Sequence, residues 1–247
     1  MRKSYTMRLM YMKGLLFLIL FVATVPFSFC QKAEIIYKND SYQMQRKGRS
    51  FVLINKRLDI SNKVLVAKLK GVSLNTGKSN LQKVYNSFYY NANQLGANSF
   101  VIDTIIGAHT DTISIQISVY NLSKDENKLN MSLFTNNSIF LVGGLKKSME
   151  GKSFKLNNEK AILPAMVYQE YPLDIDEKLK ISIGGILGAS VTFTGYEGRT
   201  PTFISLHGLT VAPGYSSGVG ISFNTGRIYP VDMSFGYMLI AALRKSE

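Results

Sequence analysis

Leu81, Val84, Tyr85, Phe88, Ala92 and Leu95 recur three or four residues apart, so a helix over 79–95 gathers them on one face. Ser79 suits its N-cap, and Gln82 three residues on completes a capping box. Gly96 stands where a helix closes in a left-handed residue. No helical period returns between Lys180 and Leu243, where two-residue alternation takes its place. One long helix set among strands restricts the chain to the α+β class.

The strands around that helix give a β-α-β-β region. Residues 51–58 and 64–69 read as strands before it and 99–106 after it. In ISIQISVYNL, Ile113, Ile115, Ile117 and Val119 alternate with Ser114, Gln116, Ser118 and Tyr120, a strand with one buried face. KDENK at 124–128 reads as a charged loop, with short strands expected at 130–134 and 138–142. SFKLNNEKAIL reads as a hairpin turning at Asn157-Asn158. These elements define an α+β domain over 31–178.

Residues 179–247 change character. Four glycine-dense runs, ISIGGILGASVTF, TFISLHGLTV, YSSGVGISF and VDMSFGYML, alternate large apolar residues with small or polar ones. Short turn-forming links, GYEGRTP, APG and NTGRIYP, join them. The expected arrangement is an antiparallel β-meander of four strands. GGILGASVTF, ISLHGLTVAPGYSSGVGISF and YPVDMSFGYML resemble the opening strands of small β-barrel proteins of Gram-negative outer envelopes. That resemblance implies a partial-barrel fold associated with the outer membrane. The chain departs from the pattern in two ways. Such barrels have eight or more strands, and this chain ends in LRKSE rather than on an aromatic residue. An open four-stranded sheet in lipid would leave unpaired edges costing several kcal/mol per backbone group. The sheet must therefore pack on the first domain, close a barrel with other copies, or belong to a truncated relative, and its open edges offer a route to homo-oligomers.

Residues 1–30 carry an address. Arg2, Lys3, Arg8 and Lys13 precede an unbroken apolar run of eleven residues from Leu15 to Val25, which Pro26 ends. This is the three-part pattern of a secretory signal peptide, and the run is shorter than the about 20 residues a spanning helix needs. Cleavage after Cys30 satisfies the small-residue rule through Ser28 and Cys30 and leaves Gln31 first; the other reading lipidates Cys30. The leader removes four basic residues and no acidic one, lowering the net charge from +13 to +9. A basic exported chain is drawn to anionic lipid, lipopolysaccharide or cell-wall polymer, in the periplasm or at the outer membrane. Nucleic acid is not expected, because no basic-aromatic module is present.

Candidate chemistry is sparse. GVSLNTGKSNLQ at 71–82 imitates a phosphate loop, but five residues separate Gly71 from Gly77 where the motif has four. Export also removes Lys78 from nucleotide. No nucleotide or other cofactor is therefore expected. His109 and His207 are the only histidines and Cys30 the only cysteine, so no His/Cys metal site forms. Asp103, His109 and Asp111 surround one turn that could gather a cation, though a polar turn explains them. Asp174, Asp176 and Glu177 could serve glycoside hydrolysis as a carboxylate pair, or simply a polar linker. The chain thus reads as a non-catalytic envelope protein with a structural or interaction role. The alternatives are a soluble periplasmic or surface binding module and a hydrolase of envelope polymers.

Overall fold

The computed structural model describes residues 33–44, 50–74, 80–110, 112–146, 148–184, 188–207 and 228–246. It is a mixed α+β structure, mostly sheet, with three helices among the described residues. Residues 31–247 cluster as one compact unit.

The first sheet joins β1 (Glu34–Lys38), β2 (Val52–Leu53), β3 (Leu65–Leu74), β4 (Ser99–Ile106) and β5 (Thr112–Tyr120) in the order β1-β3-β5-β4-β2. Ile113, Ile115, Ile117 and Val119 are fully buried, as the alternation of β5 requires. Helix α1 (Asn80–Gln94) lies against β3 and buries Leu81, Val84, Phe88 and Ala92 completely. Gly71, which the sequence places in a loop, sits inside β3. A Cβ there would come 2.5 Å from Val84 Cγ1 and 3.0 Å from Phe88 Cζ, so the glycine admits the helix. Gly96 follows the helix at φ 79°.

Helix α2 (Lys124–Ser132) occupies the stretch expected to be a loop and then a strand. The reason is a capping box: Ser123 accepts from the Glu126 amide and Glu126 accepts from the Ser123 amide. Glu126 is also paired with Lys63.

A central sheet runs β13-β12-β6-β9-β14, built from β6 (Ser138–Val142), β9 (Val167–Pro172), β12 (Thr202–Ser205), β13 (Tyr229–Val231) and β14 (Arg244–Lys245). All five residues of β6 are buried, and so are Phe203, Ile204 and Ser205 of β12. A strand covered on both faces loses its alternation, so the alternation expected of TFISLHGLTV is absent from β12.

The third sheet is four-stranded and antiparallel, β11-β10-β7-β8, from β7 (Lys152–Leu156), β8 (Glu159–Leu163), β10 (Lys178–Ile183) and β11 (Ala189–Thr194). Asn157 and Asn158 turn the β7–β8 hairpin with φ of 47° and 75°. ISIGGILGASVTF is not one strand but two, returning on itself after Gly184 at φ 88°. The inward residues nevertheless stay Ile181, Ile183, Val191 and Phe193, because the hairpin preserves their parity. The boundary expected after residue 178 falls at the start of β10, inside a sheet that draws strands from both sides of it. A continuous four-stranded meander is thus replaced: β12 leaves for the central sheet, where it runs parallel to β6.

The last correction is the largest. VDMSFGYML is not a strand beyond Val231; residues Met233–Ala242 form helix α3. Asp232 caps it, accepting the Phe235 amide at 3.0 Å. The helix is apolar almost all round because it is enclosed, so its composition imitates alternation. It contacts β2 and β4 of the first sheet, β12 and β14 of the central sheet, and α1. One core joins the first sheet, α1, α3 and the Phe140–Val142–Phe203 face of the central sheet. A second joins the opposite face, Ile139, Leu141 and Ile204, to the third sheet. The described layers therefore run sheet, helices, sheet, sheet.

A polar clasp ties these layers. The Tyr85 hydroxyl donates to Asp232 Oδ1 at 3.0 Å, and the Leu53 amide donates to Ser234 Oγ at 2.9 Å. Burial raises the Asp232 pKa above its usual 3.8, against the pull of the hydrogen bonds from Phe235, Tyr85 and Ser234. The folded state then holds this proton more tightly than the unfolded state. Its contribution is fully present below pH 3.8 and is lost as pH rises through the higher folded value. Asp232→Asn keeps an oxygen acceptor for the Tyr85 hydroxyl and the Phe235 amide and removes that loss. Thermal melts from pH 4 to pH 7 should show a smaller fall for the variant than for the parent chain; parallel curves would contradict the assignment.

Candidate functional site

The third sheet turns a basic, hydroxyl-rich face outward. Lys155 and Lys160 flank the Asn157-Asn158 turn, and antiparallel register sets them directly opposite each other. Ser182 of β10 lies opposite Lys155, and Ser190 of β11 opposite Ser182, their hydroxyls 3.0 Å apart. Lys160, Lys155, Ser182 and Ser190 thus form one row of donors across the sheet, about 14 Å long at the usual strand spacing. Beside it Ser153 pairs with Ile162, which is 62% exposed. Toward the other end Lys180 pairs with Thr192 and Lys178 with Thr194. Ser153, Lys155, Lys160, Ile162, Ser182 and Gly184 line a shallow concavity of about 730 Å³.

The outward positions of these four strands carry lysines, hydroxyls and one isoleucine, and no carboxylate or aromatic residue. Glu159 takes the inward parity opposite Leu156. Two like charges directly opposed on a sheet destabilise it by about 0.2–1 kcal/mol. Neither Lys155 nor Lys160 has a carboxylate partner among the described residues, where the ion pairs are Lys63–Glu126 and Lys245–Glu170. Such a row fits an anion, for which ammonium and hydroxyl groups are both donors.

The residues singled out from sequence lie elsewhere or outside the described residues. Ser28, Cys30, Gln31, Gly77, Lys78, Ser79, Asp111 and the strand expected at 215–223 are outside them. Gln82 lies in the first turn of α1. Asp103 sits at a bulge of β4 and accepts from the Ser118 hydroxyl at 2.8 Å. His109 stands in the β4–β5 turn at φ 67°, its amide donating to the Ala242 carbonyl at 3.3 Å. Among the described residues no three His, Cys, Asp or Glu side chains converge as a metal would need. Glu177 accepts the Asp174 amide at 2.8 Å and so closes its own turn, with Asp176 at φ 65°. His207 is half-buried, and burial is the main cause that holds its pKa below 6.5. Arg199 is buried in a structural role, donating to the Thr194 carbonyl and to Thr202 and lying 5.5 Å from the Phe193 and Tyr196 rings.

The signal for the lysine row was present in the sequence. Lys178 and Lys180 are two apart in a strand, and Lys155 and Lys160 are equidistant from a two-residue turn, so each pair shares a face. No helix among the described residues is long and apolar enough to cross a membrane, which says nothing of strands. Comparison of the chain with protein-family models, with curated proteins and with solved structures yields no match.

Proposed function

We propose that this chain is an exported, non-catalytic envelope protein that holds an anionic envelope component on the outer face of its third sheet. The observation that carries this reading is the row Lys160–Lys155–Ser182–Ser190, in which two unneutralised lysines face each other on a surface without carboxylates. The three-part leader supports export to the periplasm or the outer membrane. The basic balance of the chain adds a general attraction to the same partners.

Fractionation of the producing cells tests this. The protein should sediment with envelope material and be released by salt, because exposed charge interactions are screened. Lys160→Glu offers a sharper check. It turns a like-charge pair into an opposite-charge pair, so the fold should gain about 0.5 kcal/mol or somewhat more while envelope retention falls. A variant that melts higher yet binds less separates function from folding. Equal retention of Lys160→Glu and the parent chain would defeat the reading.

A further inference from the structure

We infer that the anionic component is lipid: the phosphate-bearing headgroup layer of a membrane, met by the third sheet lying face-on with β8 foremost. This inference rests on the anion-binding reading above and narrows it to one occupant. Three features of the face point to a lipid surface. It is a sheet face, so its donors spread across a plane rather than closing round a single ion. Ile162, on the edge strand β8, is 62% exposed in the row beside Lys155 and Lys160, placing an apolar side chain among cations as an interfacial contact requires. Lysine stems can lie along apolar material while their ammonium groups reach phosphate. A sugar polymer would instead be expected to meet aromatic platforms, and the outward positions of these strands have none.

Charge also orients the contact. Asp174, Asp176 and Glu177 lie in the turn leading into β10, and Glu197 follows β11, all near the Lys178–Thr194 end of the sheet. Asn157 is hydrogen-bonded to Lys180, so the Asn157-Asn158 turn lies at this same end, and the row of Lys155 and Lys160 stands between it and the Ser153–Ile162 end. An anionic surface repels this acidic end, which tilts the sheet so that the Ser153–Ile162 end leads.

The chain contains no tryptophan, so Ile162→Trp at this exposed position is a lone fluorescent reporter. The protein, expressed from its full sequence and purified as the cell processes it, is titrated with vesicles of phosphatidylcholine alone, with vesicles containing phosphatidylglycerol, and with soluble polyphosphate. Unsubstituted protein is followed in parallel by co-sedimentation. The expected result is a blue-shifted emission and co-sedimentation with the anionic vesicles only. Lys155→Gln/Lys160→Gln should then bind about thirtyfold more weakly, at about fivefold for each lysine near an anionic surface. Lys83→Gln/Lys128→Gln, at exposed positions on α1 and α2, should bind like the parent chain. Binding of polyphosphate without anionic vesicles would overturn the lipid occupant and leave the anion-binding reading standing. Equal binding to neutral vesicles would also overturn it, as would a blue shift that survives the loss of both lysines. Binding of neither polyanion nor vesicle would overturn both readings.

Discussion

Phe235→Ala should destabilise the protein by about 3–5 kcal/mol, among the larger losses a single truncation produces. Phe235 is fully buried on α3, and its ring lies 4.9 Å from that of Tyr85 on α1. Tyr85 in turn packs with Phe51 and Phe100, which are stacked at 4.4 Å. The ring therefore joins α1, α3 and the β2–β4 side of the first sheet. The helix that carries it also touches the central sheet, so a cavity here has walls from several layers and few ways to collapse. For a chain of this size the loss corresponds to a fall in melting temperature of about 10 °C. Had residues 231–239 formed a strand with Phe235 on an outward apolar face, the same truncation would cost little. Calorimetry of the variant distinguishes the two cases, and a melting temperature within about 2 °C of the parent would contradict the placement of α3.

Gly236→Ala should also destabilise, by roughly 2 kcal/mol, and here the sign is the informative part. In an exposed helix interior the same change gains about 1 kcal/mol, because glycine is the poorer helix former. At residue 236 the added Cβ would stand 2.2 Å from Phe203 Cγ and 2.5 and 2.6 Å from the two Cδ atoms. Phe203 cannot retreat, since its ring is stacked on Phe140 at 4.7 Å with an interplanar angle of 11°. The helix must lift away from β12 or the stacked pair must shift. Gly236 thus exchanges helix propensity for close approach of α3 to the central sheet. A melt that rises in Gly236→Ala would show that α3 does not pack on β12.

Much of the first sheet was legible because one of its faces is open. A half-buried strand writes its burial into the sequence every second residue, as β5 does. The long helix α1 was legible because its stripe is narrow and its end is marked by Gly96. Segments buried on most sides were not legible. In β12 and α3 few positions need to be polar, so a two-residue alternation could be read where the structure has a short buried strand and a helix. Helix α2 failed for the opposite reason. It is short and charged, and only the Ser123–Glu126 box distinguishes it from a loop. The glycines were ambiguous too: Gly71 looked like the start of a phosphate loop and proves to be the place where α1 touches β3. The candidate site was half legible. Parity alone puts Lys178 with Lys180 on one face, but joining them to Lys155, Lys160, Ser182 and Ser190 needs the sheet order β11-β10-β7-β8, which pairs β7 with β10 although β8 and β9 lie between them in sequence. Periodicity carries no record of such long-range pairing.

We propose that binding at the envelope runs through the lysine face of the third sheet. It is tested most directly by the affinity for an anionic surface of a chain in which Lys155, Lys160, Lys178 and Lys180 are all changed to Gln, measured beside the parent chain at the same salt. All four side chains are exposed, so the melting temperature should hold or rise slightly. Affinity should fall by about a hundredfold or more. An affinity within about threefold of the parent, with the fold intact, would contradict the account.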